Sequence, residues 1–408
     1  MGSLPILDLD PRNVAVRSRL PTAVVALGFV SLFMDMSSEM IHALLPLYLV
    51  GTLGASALMV GLIEGVGEAT AQITKLFSGY FSDRSGRRKP LVVLGYGLSA
   101  LTKPLFALAG SPMLVLGARM ADRVGKGIRG APRDALIADM VPPEQRGAAY
   151  GLRQSMDTVG AVVGPLLAVL FMFVFSGDVP LVFGVAIVPA VLAVAVLVVF
   201  VREPPRQSSP SVPVRLNRAN LRLLGTGVWT AILIGSALTL ARISEAFMIL
   251  RASEAGLSLA HAPFVLVVMN VVYAATAWPA GNLSDRIGKT GLLTVGFAVL
   301  VAADLLLAFG QGLPTIFAGV GLWGLHMGLT QGLLSALVAD ATPVPLRGTA
   351  FGLFSLMTGL AMLIGNGVAG ALWAGFGSAA TFATGAVVAA FALSVGLIWQ
   401  KRRVHPAL

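Results

Sequence analysis

Twelve mostly apolar stretches run along this 408-residue chain. Each is long enough to cross a bilayer, since a spanning helix needs about 20 such residues. Their approximate limits are 22–50, 57–80, 90–109, 113–138, 148–175, 179–201, 221–250, 259–282, 290–309, 313–338, 346–374 and 378–400. In hydrocarbon every backbone N–H and C=O must find a partner within the protein, so only helices and closed barrels span. A barrel would show alternating segments of roughly 10 residues. These stretches are longer and do not alternate, so the expected fold is an all-α membrane protein with twelve transmembrane helices. Charged residues make up 12% of the chain, half the roughly 25% of soluble proteins. A soluble two-domain enzyme and a disordered chain are both excluded. Cysteine is absent, which removes disulfides, thiolate metal sites and cysteine nucleophiles together.

Residues 1–20 carry Asp8, Asp10, Arg12, Arg17 and Arg19 without an apolar core, so no secretory leader is expected there. The first apolar stretch reads as a retained helix.

The connections divide into two kinds. Segments 1–21, 81–89, 139–147, 202–220, 283–289, 339–345 and 401–408, with flanking Arg222 and Arg347, hold 19 Lys/Arg against 8 Asp/Glu. The alternate connections, 51–56, 110–112, 176–178, 251–258, 310–312 and 375–377, hold only Arg251, Asp178 and Glu254. The formal net charge of +10 therefore sits on one side. By the positive-inside rule that side is cytoplasmic and carries both termini. The basic loops are expected to set topology and meet lipid headgroups rather than nucleic acid. The segment REPPRQSSPSVPVRLNRAN (202–220) reads as a linker, rich in proline and serine. It separates a six-helix bundle, 1–201, from a second, 221–408.

The two parts repeat each other. ALIADMVPPEQRGAAYGL (135–152) returns as ALVADATPVPLRGTAFGL (336–353), and GYFSDRSGRRK (79–89) returns as GNLSDRIGKTG (281–291). Both blocks fall at matching loops of their halves. Two six-helix bundles related in this way form a pseudo-symmetric pair, whose interface is the natural place for a cavity.

The pattern G-x-x-x-D-R-x-G-R/K after the second stretch, echoed after the eighth, resembles the signature loop of the major facilitator superfamily. The resemblance covers essentially the whole chain. It implies the major facilitator fold, and a latch between the halves that favours an outward-facing state. The latch residues would be Gly79, Asp83, Arg84, Gly86, Arg87, Asp285, Arg286 and Gly288. Gly160, Gly164 and Pro165 in the fifth stretch resemble part of an antiporter motif, although Leu166, Leu167 and Ala168 replace its further glycines. Arg119 falls where the superfamily often has an arginine linked to proton coupling, followed here by Asp122-Arg123. The run RMADRVGKGIRGAPRDALIAD resembles a bacterial exporter-like subgroup of drug/proton antiporter type, which implies the bacterial inner membrane.

Charges inside spanning helices are costly, about 2.5–3.5 kcal/mol each at a helix centre. This chain places nine basic and nine acidic residues there, so they read as functional by default. Asp35 and Glu39 are i,i+4 on one face, with His42 three further on. Glu64 and Glu68 are again i,i+4. Such carboxylate pairs can share protons, or with the imidazole hold a divalent cation. The structural alternative is pairing with Lys75, Lys103 or the fourth-stretch arginines. Arg119, Asp122, Arg123 and Lys126 form a stripe that must face protein or water. Arg153 and Asp157 are i,i+4. The second half offers Arg242, Glu245, Asn270, Tyr273, His326, Gln331 and Asn366. Arg242 and Glu245, at i,i+3, can neutralise each other. His326 is either a proton site or a packed histidine. Glycine spacings such as Gly160/Gly164 and Gly324/Gly328 read as close helix packing.

Gly288-Lys289-Thr290 lacks the first glycine of a phosphate loop, and no nucleotide-binding domain is present. No cofactor is expected. The residues point to a secondary active transporter. Proton-coupled export of a small toxic compound by alternating access comes first, from a protein expected to act as a monomer. Metal or metalloid efflux, and proton-coupled uptake of a metabolite or siderophore, keep the same fold. An intramembrane enzyme built on Asp35, Glu39 and His42 is the reading from another class.

Overall fold

The computed structural model describes residues 20–404 apart from 86, 205–223 and 344–345. All regular structure among the described residues is helical. In the first half the helices are α1 (Thr22–His42), α2 (Ala57–Ser85), α3 (Lys89–Ala107), α4 (Pro112–Met140), α5 (Arg146–Val174), α6 (Val179–Val185) and α7 (Ile187–Phe200). In the second they are α8 (Thr226–Ala241), α9 (Glu245–Glu254), α10 (Phe264–Ile287), α11 (Lys289–Phe309), α12 (Gly312–Ala341), α13 (Arg347–Phe376) and α14 (Ser378–Val404). Short turns join them, and their caps are local. Ser111 accepts a hydrogen bond from the Leu114 amide at 3.3 Å ahead of Pro112, and Asp178 accepts one from the Leu181 amide at 3.1 Å. Both satisfy amides that a helix start leaves free. Gly288 (φ 79°) and Gly377 (φ 85°) take the left-handed turns into α11 and α14, a region open to glycine.

Among the described residues nine segments are long and apolar enough to cross a membrane. The other three expected crossings are α2, α4 and α14. α2 and α4 have 29 residues each, so length is not what they lack; their polar side chains line the interior described below. The apolar part of α14 is Ser378–Ser394.

Two expected crossings are broken rather than continuous. The sixth divides at Ala186, whose carbonyl accepts a 2.6 Å hydrogen bond from Ser37 Oγ on α1. The seventh divides between Ala241 and Glu245, with Arg242 in an extended conformation. Ser244 restarts the helix by accepting from the Ala246 amide at 3.2 Å, and its own amide donates to Asn366 Oδ1 on α13 at 2.7 Å. Side chains thus replace the helical partners lost at each break.

α1 packs on α5, α3 on α4 and α2 on α4 in the first half; α11 and α10 both pack on α12 in the second. The α1–α5 crossing depends on glycine. A Cβ on Gly160 would stand 2.6 Å from the Leu32 carbonyl oxygen, and one on Gly164 would stand 2.6 Å from that of Met36. Gly324 and Gly328 admit α10 against α12 in the same way, as the spacing predicted. α2 lies along α13, and α5 meets α10. Near the short uncharged loops, Leu44, Leu45 and Tyr48 share one buried apolar cluster with Phe247, Ile249 and Leu250 of α9. Phe173 stacks edge-on against His261 with ring centroids 5.4 Å apart. That end of the molecule is sealed by apolar packing.

At the opposite end the internal repeat recurs as structure. Arg88 pairs with Asp139 at 3.1 Å, and Lys289, which the repeat aligns with Arg87, pairs with Asp340, the counterpart of Asp139.

Candidate functional site

Between the halves lies a cavity of about 470 Å³, within the usual range for small-molecule sites. α1, α2, α4 and α5 line it from one half, and the α8–α9 break, α10, α12 and α13 from the other. It runs from His42 and Glu64, beneath the apolar seal, to Lys75, Arg133 and Gln154 toward the basic loops. α2 and α4 carry their charges because those faces meet this space and not lipid.

The structure gathers most of the predicted site residues here. Asp35, Glu39, His42, Glu64, Glu68, Arg123, Lys126, Asp157, Arg242, Glu245 and Asn270 line the cavity. Arg119 and Asp122 lie just behind, around a side chamber of about 20 Å³ shared with Asp35, Glu39 and His42. That chamber has room for one water molecule.

Four of the six carboxylates that line the cavity, Glu39, Glu64, Glu68 and Asp157, are tied to bases rather than to each other. Arg119 Nη2 donates to both oxygens of Glu64, at 2.8 and 3.1 Å, and both side chains are 4% exposed. Glu64 also lies 3.6 Å from His42 Nε2, and His42 Nδ1 lies 3.5 Å from Glu39. Ser244 Oγ, from the other half, donates to Glu64 at 3.4 Å. Arg123 holds Glu68 at 3.0 Å. Lys103, fully buried, donates to Asp122 at 3.1 Å and to Ser38 at 3.0 Å. Arg153 bonds Asp157. Arg129 donates to Ser99 at 2.5 Å and lies over the Tyr96 ring at 4.6 Å. Such pairing lets a low-dielectric interior hold charge.

Other charges facing the cavity have no ion-pair partner. Asp35, Lys126 and Glu245 make no ion pair among the described residues, and Arg242 reaches only the Met327 sulfur, at 2.9 Å. Arg242 and Glu245 form no ion pair among the described residues, because the helix that would place them at i,i+3 breaks between them, yet each still acts electrostatically on the other.

His326 is not in the cavity. It is fully buried, Nδ1 meets the Gly296 carbonyl at 2.8 Å, and Trp323 packs beside it. The packed-histidine reading fits this placement. Among the described residues no group of three His, Asp or Glu side chains is arranged to hold a metal ion. Gly79 packs near Ala131, Arg84 and Arg87 are exposed, and Gly288 forms the turn before α11. Gly86 and the side chains of Asp83, Asp285 and Arg286 lie outside the described residues. Pro165 is buried within α5.

Two residues escaped the sequence reading. Ser244 links the halves through Glu64; the run Ser244-Glu245 ahead of apolar residues was its only sequence cue, a helix-start pattern. Asp304, on α11, is 1% exposed and neither carboxyl oxygen has a hydrogen-bond partner. No motif marks it.

A family model for the Major Facilitator Superfamily matches residues 27–303 and 232–408. The chain belongs to the major facilitator superfamily. An uncharacterized MFS-type transporter of Methanocaldococcus jannaschii is 35% identical over 356 residues, 86% of this chain and 88% of that protein. An uncharacterized protein of Mycobacterium tuberculosis is 30% identical over 334 residues, 80% of each chain. The multidrug resistance protein MdtH of Yersinia enterocolitica is 32% identical over 148 residues, 36% of this chain and 34% of its own. Among solved structures, the nucleoside transporter NupG aligns with a TM-score of 0.75 at 13% identity, over 93% of this chain and 99% of NupG. An inward-facing bacterial homolog of the human lysosomal transporter Spinster aligns with a TM-score of 0.68 at 18% identity, over 92% and 94%. These likenesses extend the shared fold to the whole superfamily architecture. The protein is a multi-pass integral membrane protein of the transporter class.

Proposed function

We propose that this superfamily member is a proton-coupled exporter of a small toxic compound, working by alternating access in the bacterial inner membrane. Its basic loops and both termini face the cytoplasm, by the positive-inside rule. Residues 1–201 and 221–408 move as two bodies joined by the 202–220 linker. The state described here is inward-facing, with the cavity reaching toward the basic loops and the apolar seal closing the outer side. Cargo enters from the cytoplasm. Rocking then parts Leu44, Leu45 and Tyr48 from Phe247 and Leu250, and the Glu64–Ser244 contact parts with them. The signature loops act as the latch for the outward-facing state. Lipid surrounds one protomer, and neither nucleic acid nor cofactor takes part.

The observation that carries proton coupling is Asp35. It is an acid inside the membrane, it faces the cavity, and among the described residues no base holds it in an ion pair. Asp157, Lys126, Arg129 and Glu39 surround it. Glu64 and Glu68 are instead locked to arginines, which suits a fixed charge. The partial likeness to MdtH supports efflux over uptake. The absence of a three-ligand cluster among the described residues favours an organic cargo over a bare metal ion. The cavity reading also favours transport over chemistry on the cargo.

Reconstituted vesicles test this. Asp35→Asn should abolish movement driven by a pH gradient while leaving cargo exchange without a gradient. Gradient-driven movement at the wild-type rate in Asp35→Asn would falsify the proton assignment. Chemical change of the cargo without movement would sink the transporter reading.

A further inference from the structure

The second half holds a buried acid that lies outside the cavity. Asp304 sits on α11, is 1% exposed, and neither carboxyl oxygen has a hydrogen-bond partner. Ala303 and Leu307 beside it belong to one buried apolar cluster with Ala241, Phe247 and Phe382. α14 packs on both α11 and α8, and Gly385 leaves room where they meet. A Cβ there would stand 2.8 Å from Asp304 Oδ2 and 3.4 Å from the Ala241 carbonyl oxygen, so carboxyl and carbonyl border one gap. Ala241 ends α8. In a continuous helix its carbonyl would accept from the Glu245 amide, and the break removes that donor. Two buried acceptors thus meet with no donor between them among the described residues. Hydroxyls on the same helices are spent elsewhere: Thr381 donates to the Ala369 carbonyl at 3.0 Å and Thr239 to the Gly235 carbonyl at 2.7 Å. So are the charged and titratable groups of adjoining elements. Arg251 of α9 donates to the Leu307 and Gly310 carbonyls at 2.8 and 2.9 Å and pairs with Glu254. Arg242 and Glu245 face the cavity, His326 of α12 is held by Gly296, and Asp340 pairs with Lys289. No charged side chain among the described residues acts on Asp304.

We propose that Asp304 is a second proton-binding site, outside the cavity, whose carboxyl hydroxyl donates to the Ala241 carbonyl across the gap at Gly385. Its place in a transport cycle rests on the transporter reading, but the site itself rests neither on Asp35 nor on the direction of cargo. An unpaired ionised carboxylate buried this deeply is strongly unfavourable, and the C-terminal end of α8 adds partial negative charge. The neutral acid has one O–H to give, and the carbonyl stripped by the break is the acceptor beside it. Bound, the proton fastens α11 to the end of α8 and so holds the break. Released to water, it leaves a carboxylate against a carbonyl dipole, a repulsion that low dielectric strengthens. The break carries α9, whose Phe247 and Leu250 share the outer apolar seal with Leu44 and Tyr48. Proton occupancy of Asp304 therefore biases the outer seal toward closure.

Infrared spectra of the purified full-length protein in detergent at neutral pH test the site. The wild type minus Asp304→Asn difference should contain the carbonyl stretch of a protonated carboxyl. Gly385→Ala, whose Cβ would crowd Oδ2, should keep that band at a shifted frequency, and it serves as the second variant if Asp304→Asn folds poorly. An absent band means an ionised Asp304 and overturns the proposal. A saturable rise in melting temperature with sodium at constant ionic strength, abolished in Asp304→Asn, would put a metal cation in place of the proton and overturn it too. The chain has no cysteine, so spin labels at Thr52→Cys and Ser258→Cys, both exposed on the short loops of opposite halves, read the seal. Raising the pH through the alkaline range should lengthen this distance in the wild type. Asp304→Asn, whose amide can donate as the acid does, should stay short at every pH, and Asp304→Leu, which cannot donate, should be long already at neutral pH. Asp35→Asn should respond to pH as the wild type does. Equal pH responses in the wild type and Asp304→Asn, or a response lost only in Asp35→Asn, would overturn the link to the seal. Failure of the Asp35 test in vesicles, with the Asp304 band present, would defeat the cavity proton assignment and leave this site standing.

Discussion

Replacing Glu64 with Gln tests whether the buried ion network is structural as well as functional. The change keeps the shape and removes one negative charge. Arg119 is left 4% exposed at its side chain, with its Nε already lacking a hydrogen-bond partner. Breaking a buried pair from one side costs about 3–5 kcal/mol, because the remaining charge is stranded in low dielectric. The Gln carbonyl still accepts one hydrogen bond, which returns about 1 kcal/mol. The expected net loss is therefore about 2–4 kcal/mol. Adding Arg119→Met removes the stranded charge and fills its volume with an apolar side chain. Exchanges of whole buried pairs for apolar groups are often neutral or stabilising. The double variant should be more stable than Glu64→Gln alone, with a coupling of about 2 kcal/mol in the cycle. Equilibrium unfolding in mixed micelles, on wild type, both singles and the double, reads this directly. Strict additivity, or a Glu64→Gln loss under about 0.5 kcal/mol, would refute the claim that Arg119 depends on Glu64. Loss of transport in the double variant despite recovered stability would separate a functional role of the pair from its folding role.

Gly164→Ala places a Cβ 2.6 Å from the Met36 carbonyl oxygen and 2.9 Å from Glu39 Cβ. It should cost about 1–3 kcal/mol by overpacking, whereas Gly151→Ala, with open space around it, should melt like the wild type; equal melting of the two would contradict the tight α1–α5 crossing. Asp304→Asn should hold or raise the melting temperature. It removes an acid buried without a partner, and burying an unpaired ionised carboxylate is strongly unfavourable; a fall of several degrees would instead reveal a stabilising interaction of that carboxyl.

Much of the architecture was legible in the residues. Span length and the internal repeat act over short distances or by counting, and nine of the twelve expected crossings are long and apolar enough to span among the described residues. The ion pair of Lys289 with Asp340 echoes that of Arg88 with Asp139, one residue out of the register in which the sequence blocks match. Helix breaks were less legible. The seventh crossing reads as one apolar run, and only Asn366, 122 residues away, makes the break at Ser244 affordable by accepting its amide. The site was legible as a set of residues and not as a set of partners. Asp35 and Glu39 share a helix face by spacing, yet Glu39 turns to His42 while Asp35 stays free.

The chain by itself determined that it crosses a membrane many times, that stretches of its two halves repeat each other, and which charges must avoid lipid. Hydrophobic length and charge distribution decide those matters one segment at a time. Only the tertiary structure decided which acid meets which base, where crossings six and seven break, and that Asp35, Lys126, Arg242 and Glu245 make no ion pair among the described residues. Those outcomes depend on contacts between helices distant in sequence, and in low dielectric a few ångströms separate a paired charge from an unpaired one.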